Sequence, residues 1–322
     1  MPQQSFLASK EFRDLNLRHL AEIKEFLDTN GIEYTNPEPH RFLFKNTDPE
    51  ARAYEIFYVA SHLYPVAYPK FNIEGVSKDY FYKLSIESEK NNKFTCFVKD
   101  FEWGDDRKRE VLKSYFMYAA KKIEKNFYAR DMEVREVPTQ QARQFESEHC
   151  FYGKRGASLN LGLYLKKDKH GFSKGTLMMI YTFGLNFFGK KPIIEVLRVG
   201  TQKFCNVAGG ASKLLTHFVR NYPVLKVGDK EIVTDVLKFY SDSDHNAGSS
   251  MTLVGFDFVS SGEGFMNYWI ETNTARHREP LRHKIIMEEM KNGKVLAIPN
   301  AGVKTFTMTI DRSDLPPKPT LF

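Results

Sequence analysis

The stretch Val207-Ala-Gly-Gly-Ala-Ser-Lys-Leu-Leu215 runs directly into Thr216-His-Phe-Val-Arg220. Two glycines and small residues, followed by Leu214, Leu215, Phe218 and Val219 at helical spacing, predict a tight turn opening an amphipathic helix. The first amides of such a helix have no partner within it, so Gly209, Gly210 and Ser212 suit a phosphate, a carboxylate or the anionic arm of a cofactor. The same residues suit a turn that lets a helix pack closely on a sheet. The surrounding chain has to decide between the two.

The chain has 322 residues, 42% of them hydrophobic and 14% aromatic, enough for two ordinary domains with real cores. That composition excludes a disordered protein. A net charge of +7 and a pI near 9.0 favour a polyanionic partner, with DNA the first suspect. Cys96, Cys150 and Cys205 are odd in number and far apart, without spacing for zinc or a disulfide framework. The N-terminus has no apolar run of signal-peptide length, and no segment approaches the ~18 apolar residues of a membrane span. The expectation is a soluble cytoplasmic protein with no membrane partner.

Leu17, Leu20, Ile23, Phe26 and Leu27 share one helical face, and Asn30-Gly31 stops that helix. Strands are expected at 54–59, 71–74 and 94–98, with helices over 78–90 and 106–127. The last of these carries Arg107, Lys108, Arg109, Lys113, Lys121, Lys122 and Lys125, which suit a phosphate backbone or a solvated face equally. Beyond Tyr128 the pattern changes. A strand at 133–137, a helix capped by Thr139 and reaching His149, and a half-buried strand at 158–165 lead to strands at 177–183 and 193–199, with a basic loop at 187–191 between them. After the glycine-led helix come strands at 236–240, 251–258 and 267–270. Residues 276–284 are basic, 300–306 read as a last strand or loop, and Asp314-Leu-Pro-Pro-Lys-Pro319 is a loose end. Strands first, a helix after the fourth and strands again describe a mixed α/β sheet with a split middle.

Polar groups bracket the glycine turn: His149 and Lys154 after a helix, Glu195 and Arg198 on a strand, and Tyr240-Ser241-Asp242 where a strand stops. Strand ends beside a glycine-led helix are where open α/β sheets hold ligands. Taken singly, each has a structural reading too, such as a Glu195/Arg198 salt bridge or an acidic turn.

The ordered series His149 and Gly153, Leu161-Gly-Leu-Tyr164, Phe183-Gly184, Glu195-Val-Leu-Arg198, 207–215, Tyr240-Ser-Asp242, Gly248, Gly255-Phe256 and Tyr268-Trp269 resembles the C-terminal domain of phage homing-endonuclease-like proteins. More distantly, it is similar to Mom-type DNA-modification proteins of the GNAT-like acyltransferase fold. The resemblance spans about 130–310. It implies a bacteriophage-type, DNA-binding protein whose transferase domain modifies a base. In that role Gly209, Gly210 and Ser212 bind a cofactor or phosphate. Asp242 accepts a proton or positions the attacking amine, with Tyr240 and Ser241 beside it. His149 and Lys154 approach the substrate, and Arg198 pairs with Glu195 or a phosphate. The turn departs from the alternating-glycine loop that holds acetyl-CoA in that fold, which leaves the donor open between an acyl-CoA and another small-group donor.

The segments Phe71-Asn-Ile-Glu-Gly75, Lys78-Asp-Tyr80, Glu89-Lys-Asn-Asn92, Phe97-Val-Lys-Asp-Phe-Glu-Trp103 and 108–114 resemble a Vsr-like endonuclease domain. Glu55 and Glu74 sit where two of its metal-binding carboxylates belong, but the expected Asp is Phe57, a Trp-His pair is missing, and the expected Lys falls at Leu84. Glu87, Glu89 or Lys90 are the residues left to compensate. One or two hard ligands argue against a catalytic Mg²⁺ site. The sequence thus predicts an α/β (α+β) protein with a degenerate restriction-endonuclease-like domain at 1–128, a GNAT-like, Mom-like mixed-sheet domain at 129–312 and a flexible tail at 313–322. The expected function is transfer of a small group to a DNA base. The rivals are a homing or mismatch-type endonuclease and a non-catalytic DNA-binding or structural phage protein.

Overall fold

The structure is a computed structural model. It describes residues 10–313 except 47, 49, 68, 70–72, 189–190, 263–267, 272–273, 277–287 and 289–294. Parts of several sequence expectations lie outside the described residues: the start of the strand at 71–74, the basic loop at 187–191, the start of the strand at 267–270, most of the basic run 276–284, and the tail 314–319.

The chain divides into two compact units, neither continuous in sequence. The first comprises Met1–Lys122, Ser241–Gly248 and Ser261–Lys304, and the second Ile123–Tyr240, Ser249–Ser260 and Thr305–Phe322.

The first unit opens with α1 (Lys10–Thr29), which buries Phe12, Asn16, His19, Ile23 and Leu27 at three- and four-residue spacing. The Ile32 amide closes it by donating to Leu27 O at 2.9 Å. Strands β1 (Tyr34–Thr35), β2 (Arg41–Phe44) and β3 (Ala53–Val59) form an antiparallel run. Helix α2 (Tyr80–Lys90) then carries the chain over to β4 (Lys93–Lys99), which pairs parallel with β3. That parallel pair is the most buried part of the sheet although β4 lies at its edge, as its Val, Ile and Phe content requires. Two helices follow, α3 (Asp100–Trp103) and α4 (Asp106–Ala119). The helix expected over 106–127 therefore stops early: Lys121 takes a φ of 57°, and the chain turns into a strand.

That strand, β5 (Lys125–Tyr128), begins the second unit, followed by β6 (Met132–Glu136), α5 (Thr139–His149), β7 (Leu159–Leu165), β8 (Leu177–Phe188) and β9 (Lys191–Thr201). Strand β10 (Cys205–Ala208) pairs parallel with β5 and leads into α6 (Gly210–Asn221). A hairpin of β11 (Val224–Val227) and β12 (Lys230–Val233) precedes β13 (Val236–Asp242). Helix α7 (Ser249–Thr252) and β14 (Asp257–Gly262) occupy the stretch expected as a single strand. Strands β15 (Tyr268–Glu271), β16 (Thr274–Arg276) and β17 (Val295–Ile298) form a small sheet of the first unit. The last strand is β18 (Val303–Thr309).

The main sheet has seven strands in the order β14-β18-β13-β9-β8-β7-β6. Strands β6 to β9 are antiparallel neighbours, and β13 joins β9 in parallel. The chain is therefore mixed α/β, and this sheet has the expected organisation of strands, a helix after the fourth, and strands again. Strand β7 is buried along its whole length rather than half-buried. Its Tyr164 packs with Val137, Ala142 and Phe145, while Leu161, Leu163 and Leu165 join the core that holds Leu214, Leu215 and Phe218 of α6. Both of its faces are covered by helices, so a polar alternation has no place there.

Candidate functional site

The pairing of β9 with β13 covers only three residues, Ile194 to Val196 opposite Leu237 to Phe239. Beyond Val196 the two strands part, although β9 continues to Thr201. The parting coincides with a β-bulge. Thr182 faces Arg198 while Phe183 faces Val196, so Leu197 is the extra residue. A bulge bends its strand and sharpens the local twist, which is how a sheet parts two neighbours and re-aims side chains. Gly184 makes room for it, since a Cβ there would stand 2.5 Å from Leu197 Cδ1. Residues 197–201 thus lie on a stretch of β9 that β13 does not pair, an arrangement suited to an extended ligand with amide groups of its own.

Glu195 and Arg198 flank this point, and each is held by partners from other segments. Glu195 is buried, with its carboxylate bonded by Asn186 and 3.7 Å from the Arg155 guanidinium. Arg198 donates from Nε to Gly153 O at 3.0 Å and from Nη1 to Leu197 O at 2.8 Å, with its guanidinium 5.9 Å from the Tyr152 ring. It therefore ties the bulge to the loop at 150–158.

Helix α5 adds Glu146, which is 1% exposed on a stripe otherwise made by Ala142 and Phe145. Its Oε2 accepts the Arg155 amide at 2.8 Å. Burial raises the Glu146 pKa above the usual carboxylate range, against the lowering effects of the Arg155 amide, the Thr182 hydroxyl and the Arg198 charge. His149, one turn on, is pushed down to about 4 by burial and by Lys203, so its ring is neutral at pH 7. Its Nδ1 faces the Lys203 amide at 3.5 Å. Lys154 is exposed on the neighbouring loop.

The start of α6 has reasons of its own for its glycines. Gly209 takes a φ of 73°, the left-handed region. A Cβ on Gly210 would lie 2.6 Å from Met179 Sδ and 2.8 Å from Val207 Cγ1, so the helix meets the sheet where no side chain fits. No side chain caps the helix start, which leaves first-turn amides suited to an anion. Ser212 is exposed there, and Lys213 Nζ is held by the carbonyls of Ala129 and Met132 at 2.8 and 2.6 Å. An open groove of about 490 Å³ runs along the outer face of α6, lined by Ser212, Thr216, His217 and Arg220 among others.

Tyr240 belongs to the second unit, and Ser241 and Asp242 to the first. The tyrosine is 38% exposed, with Lys238 Nζ 4.8 Å from its ring centroid. Asp242 is buried and builds a turn, its Oδ1 accepting the Asp244 amide at 2.9 Å. Ser241 Oγ donates to Asn246 O at 3.2 Å, closing the same loop. That loop carries Asp244, whose Oδ2 takes Lys99 Nζ at 2.5 Å, and His245, 3.2 Å from Glu102.

Glu55 is fully engaged in the first unit: Arg41 donates to both its oxygens at 3.0 Å, Lys93 stands at 3.0 Å and Thr95 at 2.8 Å. Burial raises its pKa, but these partners outweigh burial and hold it below the ordinary value. Two cations fill the place a metal ion needs. Glu74 is exposed. Glu89 pairs with Arg52 and Lys304. Among the described residues no three His, Cys, Asp or Glu side chains gather as a metal site, and no helix is long and apolar enough to cross a membrane.

Of the residues picked from the sequence, the structure gathers Glu195 and Arg198 at the bulge and hangs Lys154 on the loop that Arg198 holds. Sequence reasoning missed Glu146, Arg155 and Asn186. Glu146 had a signal, a carboxylate within the apolar stripe of a helix. Arg155 and Asn186 had none.

No protein-family model and no curated protein matches the chain. Among solved structures, the ribosomal-protein-S18-alanine N-acetyltransferase of Escherichia coli is similar over 59% of this chain and 99% of its own, at 10% identity and a TM-score of 0.31. The N-acetylglutamate synthase of Neisseria gonorrhoeae, complexed with coenzyme A and N-acetyl-glutamate, is similar over 71% of this chain at 11% identity and a TM-score of 0.28, and the chain spans 46% of that protein's length. Neither speaks to DNA, to phage origin, or to Vsr-like or Mom-like features.

Proposed function

We propose that the second unit transfers a small acyl group from a thioester donor, such as an acyl-CoA, to an amine, and that the acceptor is a DNA base. The observation that carries this reading is the end of β9–β13 pairing at the bulged Leu197. It leaves the stretch from Arg198 to Thr201 without β13 as a partner, which suits a donor's extended arm, while the uncapped start of α6 suits its phosphates. In the reaction the amine nitrogen bonds to the acyl carbon, the carbon–sulfur bond breaks, and the sulfur leaves as a thiol. The nitrogen must also lose a proton. Glu146 is the group suited to take it, because burial raises its basicity toward working pH, whereas His149, near 4, is a weaker base. Arg198 positions the bulge and the 150–158 loop. DNA as acceptor is supported by the net charge of +7.

The test incubates the intact chain with DNA and labelled acetyl-CoA and reads nucleosides by mass spectrometry. An acylated nucleoside formed by the parent chain, and reduced 10²-fold or more in Glu146→Gln, is the expected result. Acylation of proteins but not DNA would retain the transferase and remove the acceptor. Absence of any acyl transfer would remove both. Cleavage by the first unit is the weaker reading, because Glu55 is already held by Arg41 and Lys93; magnesium-dependent nicking lost in Glu74→Ala would establish it.

A further inference from the structure

We infer that one face of the second unit grips the phosphodiester backbone of a nucleic acid through Arg130 and Lys125, cations that aromatic rings hold in place without neutralising them. The inference shares with the proposed function its nucleic-acid partner and is independent of group transfer.

Residues 124–131 and 166–174 carry six Lys and Arg against three Asp and Glu, a net +3 of the chain's +7. The Arg130 guanidinium lies 5.0 Å from the centroid of the Tyr128 ring, and Lys169 Nζ lies 5.2 Å from the same ring. Lys125 Nζ lies 5.3 Å from the Phe172 ring. Tyr128 is 46% exposed, and Arg130, Lys125, Lys166, Lys167 and Lys174 are all exposed. Two of the three nearby acids are engaged elsewhere, and the third, Glu124, is exposed beside Lys125. Asp131 takes Lys169 at 3.1 Å, and Asp168 accepts the Lys174 amide at 2.7 Å. Among the described residues no carboxylate pairs with Arg130 or Lys125. Two other surface cations of this unit are paired with carboxylates, Arg135 with Glu133 and Lys226 with Glu231.

The face is also held rigid. His170 and Gly171 both have positive φ, 50° and 82°, and two 2.9 Å hydrogen bonds join Lys169 to Phe172 across them. That is a tight two-residue turn. His170 Nε2, 3.2 Å from Asn126 O, fastens it to β5. A ring attracts a cation and leaves its charge intact, whereas a carboxylate cancels it. Ring-held cations are therefore ordered in advance and still able to pair with phosphate, Arg130 in bidentate fashion. A spread of such charges on an exposed face fits a polymer of phosphates better than one enclosed anion.

The test measures binding of the intact chain to a short labelled DNA at a series of salt concentrations. Replacing Arg130 and Lys125 by alanine together is expected to flatten the log–log salt slope by about two and to weaken low-salt binding at least tenfold. Tyr128→Ala keeps the charge count, so it is expected to weaken binding several-fold with the slope unchanged. Tyr128→Phe and Lys226→Ala are expected to leave both alone. Thermal melting of each variant excludes loss of folding. If the double variant keeps the parent slope and affinity, the inference fails while the DNA partner stands. If the parent chain binds no DNA at low salt, or binds anionic vesicles instead, both fail. A Tyr128→Ala slope as flat as that of the double variant overturns the role given to the ring.

Discussion

Replacing Lys99 by methionine removes one charge from a set with no access to water. Lys99, Glu102 and Asp244 are each 0% exposed, and the ammonium sits 2.5 Å from Asp244 Oδ2. Asp244 Oδ1 also accepts the Ala301 amide at 2.8 Å. Burial disfavours the ammonium, but Asp244 and Glu102 outweigh it and hold the Lys99 pKa above its ordinary value. Methionine preserves the length of the side chain, so the loss is mainly electrostatic, about 3–5 kcal/mol for stranding a buried partner. Burial already lifts Asp244 to about 6 with the lysine present, and without it the carboxyl rises further. A carboxyl raised in the folded state contributes stability in full below its unfolded value of about 3.9 and loses it as pH rises through the folded value. Glu102 works to the same end. Burial opposes its charge, but Lys99 and His245 outweigh burial and bring it down to about 2, so its contribution is present at neutral pH and is lost on acidification. The deficit of Lys99→Met is therefore largest at pH 8, shrinks as pH falls toward about 6, where Asp244 is protonated in the parent too, and shrinks again below about 4.3, the unfolded value of Glu102. Both tryptophans, Trp103 and Trp269, belong to the first unit, so urea unfolding followed by tryptophan fluorescence reads that unit alone. Adding Asp244→Leu should restore part of the loss, because the stranded charge is gone. A deficit below about 1 kcal/mol that does not change between pH 8 and pH 5 would refute the account.

Gly210→Ala places a methyl 2.6 Å from Met179 Sδ and 2.8 Å from Val207 Cγ1, and should destabilise the second unit by about 1–3 kcal/mol in thermal unfolding. A neutral result would show that α6 can move off the sheet. His149, held down to about 4 by burial and Lys203, should titrate there in an NMR pH series. Because the unfolded chain binds that proton first, its contribution to stability is lost as pH falls from about 6.5 toward 4. A midpoint between 6 and 7 would place the ring in water.

The strand at 158–165 and the helix after Gly210 were legible in the sequence because their signals are local. The alternation of 158–165 and the leucine and phenylalanine spacing of 214–219 specify a strand and a helix whatever lies around them. The bulge was not legible, because Leu197 is extra only relative to β8, and register is a property of two strands together. The early end of α4 had a weak cue in Lys121-Lys122, residues that carry no strong stop signal and are turned by a positive φ at Lys121.

The polar residues show the same division more sharply. Asp242 drew attention as a carboxylate at the end of a strand, where ligands gather, yet its oxygen is bonded to the Asp244 amide two residues on, a local arrangement that Asp adopts wherever a turn permits. Glu146 drew none, since it stands within a helix among glutamines and glutamates. What separates it from Glu148 two residues along is the face it occupies: 1% exposed against Phe145 and β9, where burial raises its basicity. A carboxylate at a strand end is thus weak testimony for chemistry, because a turn takes one as readily as a site does. A carboxylate held on a buried helical stripe has no such local account, and the cost of keeping it there is offset only by its partners or by its function.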